Sequence, residues 1–153
     1  EFANHWMPLE WLTLDADFTL TESEFRDDDP AGDAIPGAIE TTIAAGATLE
    51  FDNGLFGGLR VRHFGARPLV EDASVESDPT TLVNLQAGYD WFAFPWGDLT
   101  FTLDVLNLFD SDDDDITYYY ESRLSGEPDE GIADVHFHPV EPRTVRGYLT
   151  WRF

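Results

Sequence analysis

The side chains of this chain that could do chemistry are carboxylates, imidazoles and phenols, and they come in clusters. Asp110-Ser111-Asp112-Asp113-Asp114-Asp115 puts five carboxylates in six residues. Hard cations such as Ca²⁺ take several carboxylate oxygens, so Asp112, Asp113 and Asp114 are weak metal candidates. The run lacks the glycine and distant Glu of an EF-hand loop, and a solvated loop segment is the plainer reading. His136-Phe137-His138 sets two imidazoles on one face of an extended segment, with Glu141 nearby as a third transition-metal ligand. The competing reading of His136 and His138 is a loop strand packed over neighbouring structure. Tyr118-Tyr119-Tyr120 with Arg123 offers an aromatic contact to a ligand, or simple loop packing. No nucleophile set accompanies these groups. The chain has no Cys. Its serines lie in or near loops, without a Gly-x-Ser-x-Gly turn around any of them. His63 would be a base with nothing to orient it. Gly57-Gly58 precedes a strand rather than a helix, so it is not a phosphate loop. The expectation is a protein that is not an enzyme and needs no cofactor.

Composition narrows the partners. The 153 residues hold 31 acids against 8 bases, a formal charge of −23, and every base is Arg. No surface of this chain could neutralise a phosphate backbone, so nucleic acid is excluded as a default partner. An anionic cytoplasmic leaflet is disfavoured for the same reason. Acidic chains of low hydrophobicity stay disordered, but five Trp, five Tyr and twelve Phe argue against that here. The chain opens Glu1-Phe2-Ala3 without Met or signal peptide, which reads as a cut, so a fragment of a longer protein is expected. No apolar run reaches the length of a transmembrane helix.

The elements that position these groups have a period of two. Leu12, Leu14, Ala16, Phe18 and Leu20 alternate with Thr13, Asp15, Asp17, Thr19 and Thr21. A helix would scatter the two sets around its axis, whereas a strand sends them to opposite faces. The same alternation runs over residues 43–51, 59–62, 83–93, 100–105 and 144–153. That makes six strands, with a possible strand end at residues 1–6. Asp15, Asp17, Arg60, Arg62, Asp90, Asp104 and Arg146 all fall on the polar side. They could line a substrate path, or form a ladder of ion pairs supporting the wall.

Connections alternate in length. Met7-Pro8-Leu9-Glu10, Asp52-Asn53-Gly54 and Pro95-Trp96-Gly97-Asp98 are short turns, and Asn-Gly is a strong hairpin signal. The others, about 24–40, 71–78 and 110–141, are long and carry 21 of the 31 acids. Short turns at one end and long polar loops at the other describe an up-and-down antiparallel meander. This is the asymmetry of outer-membrane barrels. Aromatics near strand ends (Trp11, Phe51, Phe56, Trp91, Phe92, Phe94, Trp96, Phe109 and Trp151) fit interfacial girdles. The fold class expected is all-β: six to seven strands in a curved sheet that is part of a large transmembrane β-barrel. A soluble β-sandwich shows the same alternation and is the alternative.

Two stretches carry a resemblance. Val105-Leu106-Asn107-Leu108-Phe109-Asp110 resembles the Asn-Leu-Phe-Asp signature on the penultimate strand of TonB-dependent outer-membrane receptors. Residues 142–153, ending on Phe153, resemble the last strand of those receptors. Gly147, Leu149, Trp151 and Phe153 then correspond to the signal read by the barrel-assembly machinery. Tyr118-Tyr119-Tyr120-Glu121-Ser122-Arg123-Leu124-Ser125-Gly126-Glu127-Pro128 and Asp134-Val135-His136-Phe137-His138-Pro139 resemble the last extracellular loop of one subgroup. Trp11-Leu12-Thr13-Leu14-Asp15-Ala16-Asp17 resembles an earlier strand.

The resemblance implies that residues 1–153 are the C-terminal segment of a receptor barrel in the bacterial outer membrane, with the plug domain and earlier strands absent. Such receptors take up a scarce ligand, for example a ferric siderophore or cobalamin, with energy supplied through TonB. The seven charged residues above would face the lumen. Expected partners are the plug, the remaining barrel strands, TonB through the missing N-terminal part, the assembly machinery and outer-membrane lipid. The competing functions are a soluble acidic binding module, for example for carbohydrate, and a complete small barrel with lipase or protease activity. Six strands are too few for the last, and no catalytic set is visible.

Overall fold

A computed structural model of the chain describes residues 1–26, 30–94 and 97–153. Its described residues form nine strands and no helix: β1 (Phe2–Leu9), β2 (Leu12–Leu20), β3 (Thr41–Glu50), β4 (Leu55–Phe64), β5 (Thr80–Phe94), β6 (Gly97–Leu106), β7 (Asp114–Ser122), β8 (Ile132–Pro139) and β9 (Thr144–Arg152). Seven of them make one antiparallel sheet in the order β1-β2-β3-β4-β5-β6-β9, and β7 and β8 make a separate hairpin. The all-β meander expected from the alternation is therefore the fold.

The register shows why the alternation matters. Leu14 faces Ala47, Ala47 faces Leu59, Leu59 faces Leu85 and Leu85 faces Val105, which faces Val145. Directly opposed residues share a face, so these side chains form a continuous apolar band across the sheet. A slip of one residue in any pair would move charge into that band. The opposite face runs Asp15, Gly46, Arg60, Asn84 on β2 to β5, and Gln86, Asp104, Arg146 on β5, β6 and β9. All seven charged residues singled out from the sequence lie on this polar face.

β5 is the longest strand. It pairs with β4 through Thr80–Tyr89 but with β6 through Leu85–Phe94, a five-residue stagger. Stagger of this kind tilts strands relative to the axis of a closed sheet.

Several details differ from the sequence reading. The first turn is Glu10-Trp11, not Met7 to Glu10: β1 runs on through Leu9, with an irregularity between Trp6 and Leu9. Pro8 sits in that irregularity on an edge strand, where its missing N–H removes no central ladder bond. The second turn is as expected: Gly54 has φ 90° and donates to Phe51 O at 2.9 Å. Pro95 and Trp96 of the third turn lie outside the described residues, as do Asp27, Asp28 and Asp29 of the first acidic loop and the Phe94 side chain. β4 is longer than the 59–62 alternation indicated, because Phe56, Gly57 and Gly58 break the pattern without breaking the ladder. The connection expected over 110–141 contains the hairpin β7–β8.

The sheet is a single layer. Leu69 is the one buried hydrophobic residue among those described. Large apolar side chains stay open along the apolar band, among them Leu59 (41%), Phe101 (41%) and Leu149 (69%). The accessible surface is 10882 Å² for 17.3 kDa. A compact globule of that mass exposes roughly 7,800 Å². The excess is the signature of a sheet whose faces have no covering layer.

Candidate functional site

The polar face is organised by short cross-strand contacts. Asp15 and Arg60 lie on strands that are not neighbours, with Gly46 of β3 between them in register. Across that glycine the Arg60 guanidinium donates to both Asp15 oxygens, each at 3.2 Å. A Cβ on residue 46 would stand 2.7 Å from Asp15 Oδ1 and 3.0 Å from an Arg60 nitrogen. The missing side chain is what lets the pair close. One step along, Asp17 and Arg62 flank Ala44 in the same way, and no ion pair joins them among the described residues. Further across, Gln86 Nε2 donates to Asp104 Oδ1 at 2.8 Å and Thr100 Oγ1 donates to Asp90 Oδ1 at 2.5 Å. Arg146 faces Asp104 in register, yet its guanidinium reaches Glu141 at 3.4 Å. The seven residues thus share a face, and most hold neighbours rather than converge on one point. Such exposed pairs stabilise by about 1 kcal/mol or less each. The face also carries a 340 Å³ hollow bounded by Arg60, Asn84, Gln86 and Asp104.

Phe56 does not belong to an aromatic girdle as expected. It lies on the polar face over Gly88, its register partner, where a Cβ would stand 2.1 Å from the ring. The ring covers backbone that would otherwise be bare. Other aromatics do gather near the short-turn end: Trp11 stacks on Phe51 at 5.3 Å, and Tyr89 meets Trp91 edge-on at 4.8 Å.

At the opposite end, the long connections are knitted together. Ala34 N donates to Glu71 O at 2.9 Å and Gly37 N to Pro68 O at 2.7 Å, joining the first to the second. Arg67 donates to Asp115 O at 3.0 Å, and Thr81 N to Asp113 Oδ2 at 2.7 Å, joining the second to the root of the hairpin. Asp113 is thus an anchor within the fold. Asp114 lies beside it, its backbone carbonyl accepting from Thr80 Oγ1. Desolvation first, then the charges of Asp78 and Asp113, hold the Asp114 carboxyl above its ordinary value, with Arg67 opposing. Asp112 is exposed. Among the described residues no three His, Asp or Glu are arranged to hold a metal ion, so Asp112, Asp113, Asp114, His136 and His138 form no such set.

His136 and His138 do share a face of β8, but their neighbours are rings. His136 stacks on Tyr120 at 3.8 Å, and His138 meets Tyr118 edge-on at 6.0 Å. His136 Nε2 is buried without a hydrogen-bond partner. His63, considered as a base, hydrogen-bonds Thr81 Oγ1 through Nδ1 at 2.8 Å.

Asn107, named from the sequence only within a family signature, has a structural role that sequence reasoning missed. It is 4% exposed, with φ at +49°. Its Nδ2 donates to Ser111 O at 2.9 Å and Glu141 O at 3.0 Å, and its Oδ1 accepts from Ser111 N at 2.9 Å. Its own amide donates to Asn84 Oδ1 at 2.9 Å. Asp110, also at positive φ, accepts from Arg143 N at 2.8 Å and faces the Arg143 guanidinium at 3.6 Å. Together they tie the end of β6 to the start of β9 beneath the hairpin. The signal was present in Asn107-Leu108-Phe109-Asp110: Asn and Asp are the non-glycine residues that best tolerate the left-handed region.

On β9, Gly147, Leu149 and Trp151 lie on the apolar face opposite Leu103, Phe101 and Leu99. Phe153 is fully exposed, its ring 5.4 Å from Trp151. No protein-family model matches this chain, and comparison with curated proteins finds no match either.

Proposed function

We propose that this chain is a wall segment of an outer-membrane transport receptor of the TonB-dependent kind, with its apolar face in lipid and its polar face toward a wet lumen. The observation that carries the reading is the apolar face. Among the described residues it spans seven strands, bears no Asp, Glu or Arg, and has no covering layer. A charge on a lipid-facing position near the midplane costs about 2–4 kcal/mol, so its complete absence there is what lipid would select. Strands of eight to ten residues either side of β5 suit a tilted span of the hydrocarbon.

β1 and β9 each have one neighbour in the sheet. An unpaired backbone group in hydrocarbon costs several kcal/mol, so both edges need further strands. The remaining strands of a larger barrel are the fitting partners, with a plug against the polar face and assembly machinery acting on β9. Uptake of a scarce ligand with TonB-supplied energy follows from the family resemblance of residues 105–110 and 142–153. A soluble sandwich needs a second sheet over one face, and the hairpin β7–β8 does not supply one.

Single cysteines along β5 test this, since the chain has none of its own. In outer-membrane vesicles holding the intact protein, a fluorophore at positions 83, 85 and 87 should be quenched by brominated lipid, and at 84 and 86 by aqueous iodide. Quenching without that alternation would reject the lipid-facing assignment.

A further inference from the structure

The hairpin β7–β8 carries a ladder of rings on one face. Tyr118 faces His136 in register, Ile116 faces His138 and Tyr120 faces Asp134, so these six side chains point the same way. Tyr120 and His136 stack with planes 14° apart, and Tyr118 bridges to Tyr120 at 6.1 Å and to His138 at 6.0 Å. The ladder is open: Tyr120 is 51% exposed and Tyr118 38%.

Its surroundings give it a charge preference. The three long connections, residues 21–40, 65–79 and 107–143, carry 22 acids against four arginines, Arg26, Arg67, Arg123 and Arg143. Arg123, the only base on the hairpin, is closed onto Glu121 at 2.7 Å. Asp134 lies across from Tyr120, with Oδ1 accepting its neighbour's amide, Val135 N, at 2.7 Å. His136 Nε2, buried at the ladder, has no hydrogen-bond partner. A field of this sign concentrates cations and repels anions. Ring faces attract cations through their quadrupole, and a planar guanidinium stacks on tyrosine while keeping N–H groups for a carboxylate. His136 and His138 have ligating nitrogens, but among the described residues no third ligand joins them to hold a metal ion.

We infer that the Tyr118–Tyr120–His136–His138 face of this hairpin, with Asp134 beside it, binds a small organic cation of the guanidinium type. The inference rests on the wall reading, which puts the hairpin on the outer side of the membrane, and it names the ligand class that side admits. Tyr120 and Tyr118 supply the stacking surface, Asp134 the counter-charge, and the anionic rim the long-range attraction.

Calorimetric titration of the intact protein in outer-membrane vesicles tests it with three probes of similar shape: benzylguanidine, uncharged benzylurea and anionic phenylacetate. Benzylguanidine should bind more tightly than benzylurea, with an advantage that shrinks as salt rises, and phenylacetate should not bind. Tyr120→Leu should weaken benzylguanidine about two- to fivefold, while Tyr120→Phe keeps it. Asp134→Asn should weaken it and flatten the salt dependence. Equal binding of benzylurea, or an unchanged affinity in Tyr120→Leu, overturns the inference. The quenching pattern along β5, recorded on the same vesicles and variants, separates the outcomes. Alternation without charge selectivity refutes the ligand class alone. Selectivity without alternation refutes the wall reading and leaves the site standing.

Discussion

Asn107→Ala is the substitution with the most to say about how this fold is held together. It removes three side-chain hydrogen bonds, to Ser111 O, Glu141 O and from Ser111 N. At a site only 4% exposed, water does not readily replace them. At about 1 kcal/mol each the loss is about 3 kcal/mol. Alanine must also hold φ near +49°, where a Cβ without a compensating side-chain contact costs about 1 kcal/mol more. The sum, about 4 kcal/mol, should appear as local opening rather than as loss of the sheet, because β5–β6 and β6–β9 pairing do not depend on the side chain. Hydrogen exchange in detergent micelles reads it directly. The amides of Ser111 and Arg143 should exchange roughly a thousandfold faster, while those in mid-β6 keep their protection. Asn107→Gly should be milder by about 1 kcal/mol, since it loses the bonds but not the backbone fit. Asn107→Asp should not rescue, because a carboxylate would face two carbonyl oxygens. A change of less than tenfold at Ser111, or a glycine variant worse than alanine, would refute the closure described for this residue.

Other expectations can be checked with the same preparations. Gly88→Val drives a side chain into the Phe56 ring and to within 2.7 Å of Phe101 O, and should destabilise by about 1–3 kcal/mol in urea unfolding. Gly147→Ala, with open space around it, should be neutral by the same measurement. Leu85→Arg puts a charge in the middle of the apolar band and should cost about 2–4 kcal/mol in refolding into bilayers, whereas Gln86→Arg on the other face should cost little. The Asp114 carboxyl titrates above its unfolded value of 3.8, so its contribution to stability is fully present below that pH and is lost as pH rises through the higher folded value. Asp114→Asn should therefore raise amide protection at the hairpin root at pH 7 and remove that part of the pH response.

How much was legible in sequence depended on how cleanly each strand divides its faces. β2, β3, β6 and β9 alternate so regularly that their faces and their charges could be assigned residue by residue. β7 and β8 could not be read that way. Tyr118 and Tyr120 alternate with Thr117 and Tyr119, and His136 and His138 with Val135 and Phe137, so both faces are aromatic or apolar and no period stands out. Phe56 was misassigned for a related reason. An aromatic near a turn looks like a membrane anchor until register places it opposite a glycine. The acidic run was read as loop because nothing local reveals that Asp113 accepts from Thr81, 32 residues away.

By itself, the sequence determined the class of fold and the chemistry of its two faces. A period of two is a local property of consecutive residues, and each strand carries its own copy of it. The alternation of short and long connections likewise needs no third dimension to be seen. What only the tertiary structure decided is which side chains meet. That Gly46 lets Asp15 reach Arg60 across a strand, that Asn107 closes a 37-residue excursion between β6 and β9, and that Tyr120 lies on His136 all depend on pairing register and on backbone angles. These are set by many distant contacts acting together, and no window of neighbouring residues contains them.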